Sequence, residues 1–552
     1  MQKTTCLVLA SALLVAMAFN SAAQERQQSR SMVINRYGIV AAEHPLAAQT
    51  GAMILHDGGN AVDAIVATNA VMGVVAPMMN GIGGDLFAIV YEAKTGKLYG
   101  LNASGWAPAG LTIDKLTQAG HRSMPQHGIH PVTVPGCVDG WDKLLTKFGT
   151  RKFADVLAPA IRYADEGFPV PELTHAVWVA SERALRRDDA LKIYFPNGHA
   201  PATGDIFRNP ELAWSLRQIA QSGRDAYYKG EIAAKILKTS QQRNGTMEAG
   251  DLADFSAEWV DPISTTYRGW TVYEMPPNGQ GVAALEMLNI MEQFSEVTLH
   301  RMIEAKKLAY ADLRRYVADP KFAQAPLAQL LSKDYAKERA KLIDDTKAKS
   351  HEDPGDPLRI GNDTTYLCAV DKEGNMVSLI QSNYEGFGSG LTAEGAGFAL
   401  QNRGALFTLN KSHPNALAGH KRPFHTIIPA MMTRGDVRIA FGIMGGFNQS
   451  QAHAQFVSNV VDRGLNIQAA LEAPRFTKMT FEGNDVDLES RFPLSVRAAL
   501  EAKGHQIQLL PEFSGKVGGG QAVLRDFSTS INFGASDPRK DGEAVPEPIP
   551  NK

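Results

Sequence analysis

Residues 61–75 are apolar almost all the way round, with Ala and Val the commonest side chains. Gly58-Gly59-Asn60 opens the run and it stops before Pro77. A helix with no polar face has to be covered on every side. That requirement points to a layered α/β fold, with a sheet packed closely beneath small side chains. The next segment supplies strands. After the loop Asn80-Gly81-Ile82-Gly83-Gly84-Asp85, Leu86 to Tyr91 reads as a buried strand. Thr95-Gly96 reads as a hairpin turn into Leu98 to Leu101.

From about Leu111 to Lys349 the pattern is mostly helical. Trp141 to Phe148, Phe153 to Glu166, Pro210 to Ser222 and Ala226 to Ser240 carry amphipathic spacing. Val282 to Phe294 and Thr298 to Val317 also read as helices, the second with Arg and Lys along an exposed face. Lys333 to Ser350 reads as charged and helical. His351 to Pro357 is polar and Pro-rich, the texture of a surface linker. Strands return after it: Thr365 to Val370, a turn over Asp371 to Asn375, then Met376 to Gln381. The tail beyond Asp537 is polar and reads as frayed. No internal repeat is visible.

The N-terminus has the pattern of an export signal. Lys3 precedes an apolar run from Leu7 to Phe19, and Ser21 and Ala23 occupy the small positions of a cleavage site. The expected signal peptide is 1–23, which places the protein in the periplasm or outside the cell with no membrane anchor. Lys and Arg number 56 against 58 Asp and Glu, for a net charge of −2. That balance gives no basic surface for nucleic acid and leaves a small-molecule or peptide amide as the expected partner. Cys6 would leave with the signal. Cys137 and Cys368 remain, and spacing alone does not say whether they pair. His127 and His130 lack companions, so no metal site is expected. P-loop and dinucleotide motifs are absent, and no cofactor is expected.

Thr364 sits between the linker and a strand. A threonine hydroxyl is a weak nucleophile unless a base takes its proton. The α-amine of the same residue becomes such a base once the chain is cut just before it. Gly445-Gly446, following the apolar Ile439 to Met444, offers backbone N–H groups for an oxyanion.

The chain resembles the γ-glutamyltranspeptidase family of N-terminal-nucleophile (Ntn) hydrolases over nearly its whole length. The segments that carry the likeness are Gly58 to Ala64, Gly81 to Gly84, Val134 to Gly136, Tyr273 to Pro277, Ala309 to Asp312 and Asp319-Pro320. Later come Thr364-Thr365, Val370 to Asn375, Lys421 to Pro423, Gly445-Gly446, Ala473 to Phe476 and Gly534 to Arg539. The resemblance implies an α/β (α+β) fold, the Ntn-hydrolase αββα four-layer sandwich. Both processed chains would form it, with additional helices in the large chain. It implies self-cleavage at Asp363–Thr364 into a large subunit, 24–363, and a small catalytic subunit, 364–552, with further pairing of processed units an open option. Thr364 would be the nucleophile, Ser382 its supporting hydroxyl, Gly445 and Gly446 the oxyanion donors, and Thr365 the second threonine of the motif. The implied activity is hydrolysis or transfer of γ-glutamyl or related acyl groups from amides such as glutathione.

The substrate positions depart from the family pattern. Ser104 stands where the family has a carboxylate-binding Arg, and Ala405 and Leu406 replace its amine-binding acids. His425-Thr426 replaces a serine pair, and Tyr384 stands where an Asn is expected. Arg403 lies beside the lost acids and is suited to grip a carboxylate bidentately. These changes suggest an acyl group with a carboxylate and no amine, either glutaryl, as in cephalosporin acylases, or oxamate-like. A structural Arg403 paired with an acid of the sandwich is the equal alternative, and the γ-glutamyl group stays the family default. Two alternatives belong to other classes. One is a family member with a dead site that acts as a binding protein. The other is a serine amidase using Ser389 with His425.

Overall fold

The expected buried helix is present as Ala61–Val75, and all fifteen of its residues are buried. Asn60 caps it by accepting from the N–H groups of Val62 and Asp63, while the Asp63 carboxylate accepts from the Asn60 N–H. This reciprocal cap satisfies donors that a buried helix end cannot give to water. Asp371, in the turn of the Asp363–Val370/Met376–Tyr384 hairpin, accepts from the Ala61 N–H at 3.1 Å. The helix start is therefore tied to the hairpin that carries Thr364.

The computed structural model describes residues 28–185, 189–350 and 363–549. The predicted signal peptide and the linker His351 to Pro357 lie outside the described residues. Two seven-stranded sheets dominate. One runs, in spatial order, Val33–Asn35, Ile531–Ser536, Gly520–Asp526, Val437–Ile443, Ala430–Arg434, Trp270–Glu274, Ile263–Tyr267. The other runs Glu543–Pro546, Ile39–Ala42, Asp363–Val370, Met376–Tyr384, Asp85–Glu92, Lys97–Ala103, Glu258–Val260. Neighbouring strands in both are antiparallel.

Alternation along the strands sorts side chains into layers. Ile39, Phe87, Ile89, Tyr366, Cys368, Met376, Ile380, Met431, Ala440 and Val523 fill the space between the sheets. The opposite faces carry Val40, Leu86, Ala88, Leu367 and Leu379 toward Ala61–Val75. On the other side, Val272, Met432, Ile439 and Phe441 pack toward Gly281–Met291 and Asn448–Val461. This is the four-layer αββα order, and each sheet mixes strands from before and after Thr364.

Several sequence expectations are corrected. The mostly helical middle is interrupted by three strands, Glu258–Val260 and Ile263–Tyr267 at sheet edges and Trp270–Glu274 between Ile263–Tyr267 and Ala430–Arg434. They are too short for a clear periodicity. The helix expected over Lys333 to Ser350 covers only Lys333–Ala340. Beyond it, Asp344 Oδ1 accepts from the N–H and hydroxyl of Thr346, a local turn that competes with helical bonding. Ala226 to Ser240 is two helices, Arg224–Tyr228 and Glu231–Gln242, broken at Gly230. Over the described residues, up to Ile549, the tail is not frayed. Glu543–Pro546 pairs with Ile39–Ala42, and the Glu547 carboxylate accepts from the Gly38 N–H. Cys137 and Cys368 are both free and buried, on opposite faces of one sheet.

Candidate active site

Thr364 lies inside a strand, one position past its start, where the pairing register slips. Asp363 pairs with Tyr384, but Thr365 pairs with Gln381. Thr364 is thus the single residue opposite two, Ser382 and Asn383, so the bulge lies on the partner strand and re-aims side chains there without ending the pairing. Its hydroxyl points at Ser382 Oγ, 3.3 Å away, and both residues are fully buried. The Tyr384 N–H donates to Ser382 Oγ at 2.8 Å, and Arg403 Nη2 donates to it at 3.0 Å. Tyr384 adopts φ of 81°, left-handed backbone that turns its N–H back onto Ser382.

Arg403 is fully buried on the short turn Arg403–Leu406. Its Nη1 donates to Thr426 Oγ1 at 2.8 Å and its guanidinium stacks over the Tyr384 ring at 4.6 Å. No carboxylate pairs with it among the described residues, and its Nε is buried without a partner. Burial pushes the guanidinium down to about 10, against the opposing pull of Asp85, Tyr384 and Glu385. At that value it is still a cation at neutral pH. A lone buried cation is costly unless something answers its charge.

His425 meets an acid that the sequence reading did not single out. Its Nε2 lies 3.0 Å from Asp85 Oδ2, both side chains are fully buried, and its Nδ1 accepts from the Ile427 N–H at 3.3 Å. That pattern sets the neutral Nε2–H tautomer. Asp85 also accepts from the Gly105 N–H and from Gln401 Nε2, each at 2.8 Å. The visible signal was an acid at the end of a Gly-rich loop, just before an apolar strand. Burial and then Arg403 push the His425 ring down to about 3, outweighing Asp85. Burial likewise depresses His44 to about 4 and His505 to about 3. Below about pH 6.5 the unfolded chain takes up protons that these folded rings refuse. Stability is therefore whole above that pH and is lost as the pH falls toward 4. We expect melting curves to show this decline, and His425→Asn to flatten part of it. An unchanged slope in the variant would remove His425 from the account.

Gly445 and Gly446, with φ of 122° and 57°, join the strand Val437–Ile443 to the helix Asn448–Val461. That helix has no side-chain cap, and the N–H groups of Asn448 and Gln449 donate instead to the Gly445 and Gly446 carbonyls at 2.9 and 3.2 Å. Gln280 Nε2 donates to the carbonyls of both Thr426 and Gly446, holding this junction to the Arg403 cluster. Contacts thus link Thr364, Ser382, Tyr384, Arg403, Thr426 and Gly446. Ser104 enters by another route. Its hydroxyl donates to Asn102 Oδ1 at 2.7 Å and accepts from Asn278, whose carbonyl accepts from the His425 N–H. Thr365 Oγ1 is buried without a partner.

Other candidates are not assembled. The Ser389 hydroxyl donates to the Leu400 carbonyl at 2.8 Å, while His425 faces Asp85, so the serine-amidase pairing does not form. A surface hollow lined by Asn60, Glu92, Lys147 and Glu373 lies at the turn end of the hairpin, away from Thr364. His300, Glu304 and His505 converge as metal ligands would. Lys307 Nζ, however, already donates to Glu304 Oε1 at 2.7 Å, so an ammonium occupies the position a cation would take. The motif residues Arg475, Asp537 and Arg539 have a structural part. With Glu489 they form a buried ion network.

The family model described as gamma-glutamyltranspeptidase matches residues 47–547. A glutathione hydrolase-like YwrD proenzyme of Bacillus subtilis is 36% identical, covering 93% of this chain and 99% of the relative. An oxamate amidohydrolase proenzyme of Klebsiella pneumoniae is 33% identical, covering 93% and 99%. The crystal structure of a cephalosporin acylase from Bacillus halodurans superposes with a TM-score of 0.89 at 42% identity, covering 96% and 99%. No helix among the described residues is long and apolar enough to cross a membrane. With the four-layer sandwich, the residues matched and the extent of these likenesses in agreement, the chain belongs to the γ-glutamyltranspeptidase family of Ntn hydrolases.

Proposed function

We propose that this chain is an exported, self-processing amidohydrolase or acyltransferase with Thr364 as nucleophile. The observation that carries the reading is the bulge. It sets Ser382, on the bulged strand, against the Thr364 hydroxyl, and the Ser382 hydroxyl is itself held by Arg403 and the Tyr384 N–H. Cutting Asp363–Thr364 frees the α-amine. That amine takes the hydroxyl proton as Oγ1 attacks the amide carbonyl, and Gly445 and Gly446 receive the oxyanion. The C–N bond then breaks, the departing amine leaves with the proton, and an acyl ester remains on Thr364. Water, or an amino acid in transfer, releases the acyl group and returns the proton. Intact-mass measurement of the purified protein tests this. We expect two fragments that stay together, 24–363 and 364–552, the smaller beginning at Thr364. A single uncut chain without amidase activity would leave the binding-protein reading.

The γ-glutamyl group is the family's ordinary acyl donor. A second reading, an acyl group with a carboxylate but no amine, is favoured by one observation. Ala405 and Leu406 stand in place of amine-binding acids, beside an Arg403 with no carboxylate partner among the described residues. Glutaryl and oxamate-like amides both fit that description. Clear preference for γ-glutamyl amides over their des-amino analogues would sink it.

A further inference from the structure

The Arg403 guanidinium is closer to the nucleophile than a carboxylate anchor for a long acyl chain needs to be. Its Nη2 is 3.0 Å from Ser382 Oγ, which is 3.3 Å from Thr364 Oγ1. Nη2 is therefore no farther than about 6 Å from the attacking oxygen, a separation two hydrogen bonds in series can span. Nη1 and Nη2 each serve a hydroxyl, those of Thr426 and Ser382. The Nε–H, on the other edge of the fork, is buried and unpartnered. The nearby acids are committed elsewhere. Asp85 is bonded to Gly105, Gln401 and His425, and the Glu385 carboxylate to Asn402. A buried cation with an open donor edge fits a ligand that brings its own anion.

We infer that Arg403 receives a substrate carboxylate lying within two bonds of the scissile carbonyl, so the preferred substrates are amides of oxalic and malonic acid rather than glutaryl-length amides. The inference rests on Thr364 being the nucleophile. A carbonyl carbon poised for attack stands about 3–3.5 Å from Oγ1. A carboxylate oxygen held by Arg403 stands about 2.8 Å from nitrogen. With both ends placed on the Arg403 side of Thr364, little length is left between carbonyl and carboxylate. A short diacid fills that span. A glutaryl chain has three methylenes to accommodate and reaches only with its carbonyl on the far side of Thr364.

The test is a length series: mono-p-nitroanilides of oxalic, malonic, succinic and glutaric acid, with acetyl and γ-glutamyl p-nitroanilides beside them. We expect kcat/KM to peak at the oxalic or malonic member, at least about tenfold above the glutaric one. Arg403→Met should lower kcat/KM on the charged members at least about tenfold more than on the acetyl compound, whose own loss reports the broken contact to Ser382. Arg403→Lys should recover part of the loss. A peak at the glutaric or γ-glutamyl member in a processed, active enzyme overturns the inference and leaves the nucleophile assignment standing. So does an equal loss on charged and uncharged members in Arg403→Met. If that variant does not mature, the wild-type series decides alone. A wild type that stays uncut and hydrolyses no member overturns both readings.

Discussion

Thr364→Ala is expected to give one uncut chain and to lower amide hydrolysis by about a thousandfold or more. On the proposed mechanism the variant removes both the attacking oxygen and, by blocking the cut, the free amine that would serve as its base. Its fold should survive. The hydroxyl makes a long 3.3 Å contact with Ser382, and a typical hydrogen bond contributes only about 1 kcal/mol. Thr364→Ser keeps an oxygen at the same place and should be cut, though more slowly. The readouts are intact mass over days and release of p-nitroaniline. Rapid cutting of Thr364→Ala would place the nucleophile elsewhere.

The second large effect concerns stability. Arg539 grips Glu489 with Nε and Nη2, at 2.8 and 2.6 Å, and reaches Asp537 Oδ1 with Nη1 at 3.0 Å. Asp537 also pairs with Arg475 and accepts from the Gly520 N–H. All four charged side chains are buried. Burial by itself would raise the Asp537 carboxyl, yet the two guanidinium groups hold it below its ordinary value. Asp537→Asn leaves two cations short of a counter-charge at the centre of the network. Breaking a buried pair in this way costs about 3–5 kcal/mol. For a unit of this size that lowers the melting temperature by about 4 °C. Adding Arg475→Met should cost less than the two single losses together, because it removes one stranded charge. A melting temperature unchanged in Asp537→Asn would show the network to be dispensable.

Much of this architecture was legible in the sequence. The span Ala61–Val75 was readable because a helix without a polar face has few alternatives. The hairpin around Asp371 was readable from alternation and turn chemistry. The bulge opposite Thr364 was not, since it exists only in the register between two strands. Nor was the Asp85–His425 pair, whose members lie 340 positions apart and meet because the sheet and the loop before it bring them together. Arg403 stood out as a charge among small residues. That it would hold two hydroxyls and no acid depends on packing that no local pattern encodes. The closing strand Glu543–Pro546 hid behind its prolines and charges, which are tolerated at a sheet edge.

Both sheets are woven from chain on either side of Thr364. In one, Asp363–Val370 and Met376–Tyr384 run between Ile39–Ala42 and Asp85–Glu92. In the other, Ala430–Arg434 pairs with Trp270–Glu274 while Val33–Asn35 closes the far edge on Ile531–Ser536. Neither half owns a complete sheet, so neither can serve as a template on which the other is later built. On the proposed function, maturation by a single cut would be a one-way ratchet. The folded sandwich survives as a kinetic trap, while two pieces unfolded after the cut have lost the tether that brought their strands into register. Denatured and diluted, the mature enzyme should regain activity far less readily than its uncut parent regains its fold. Reassembly then becomes a second-order search whose yield depends on concentration.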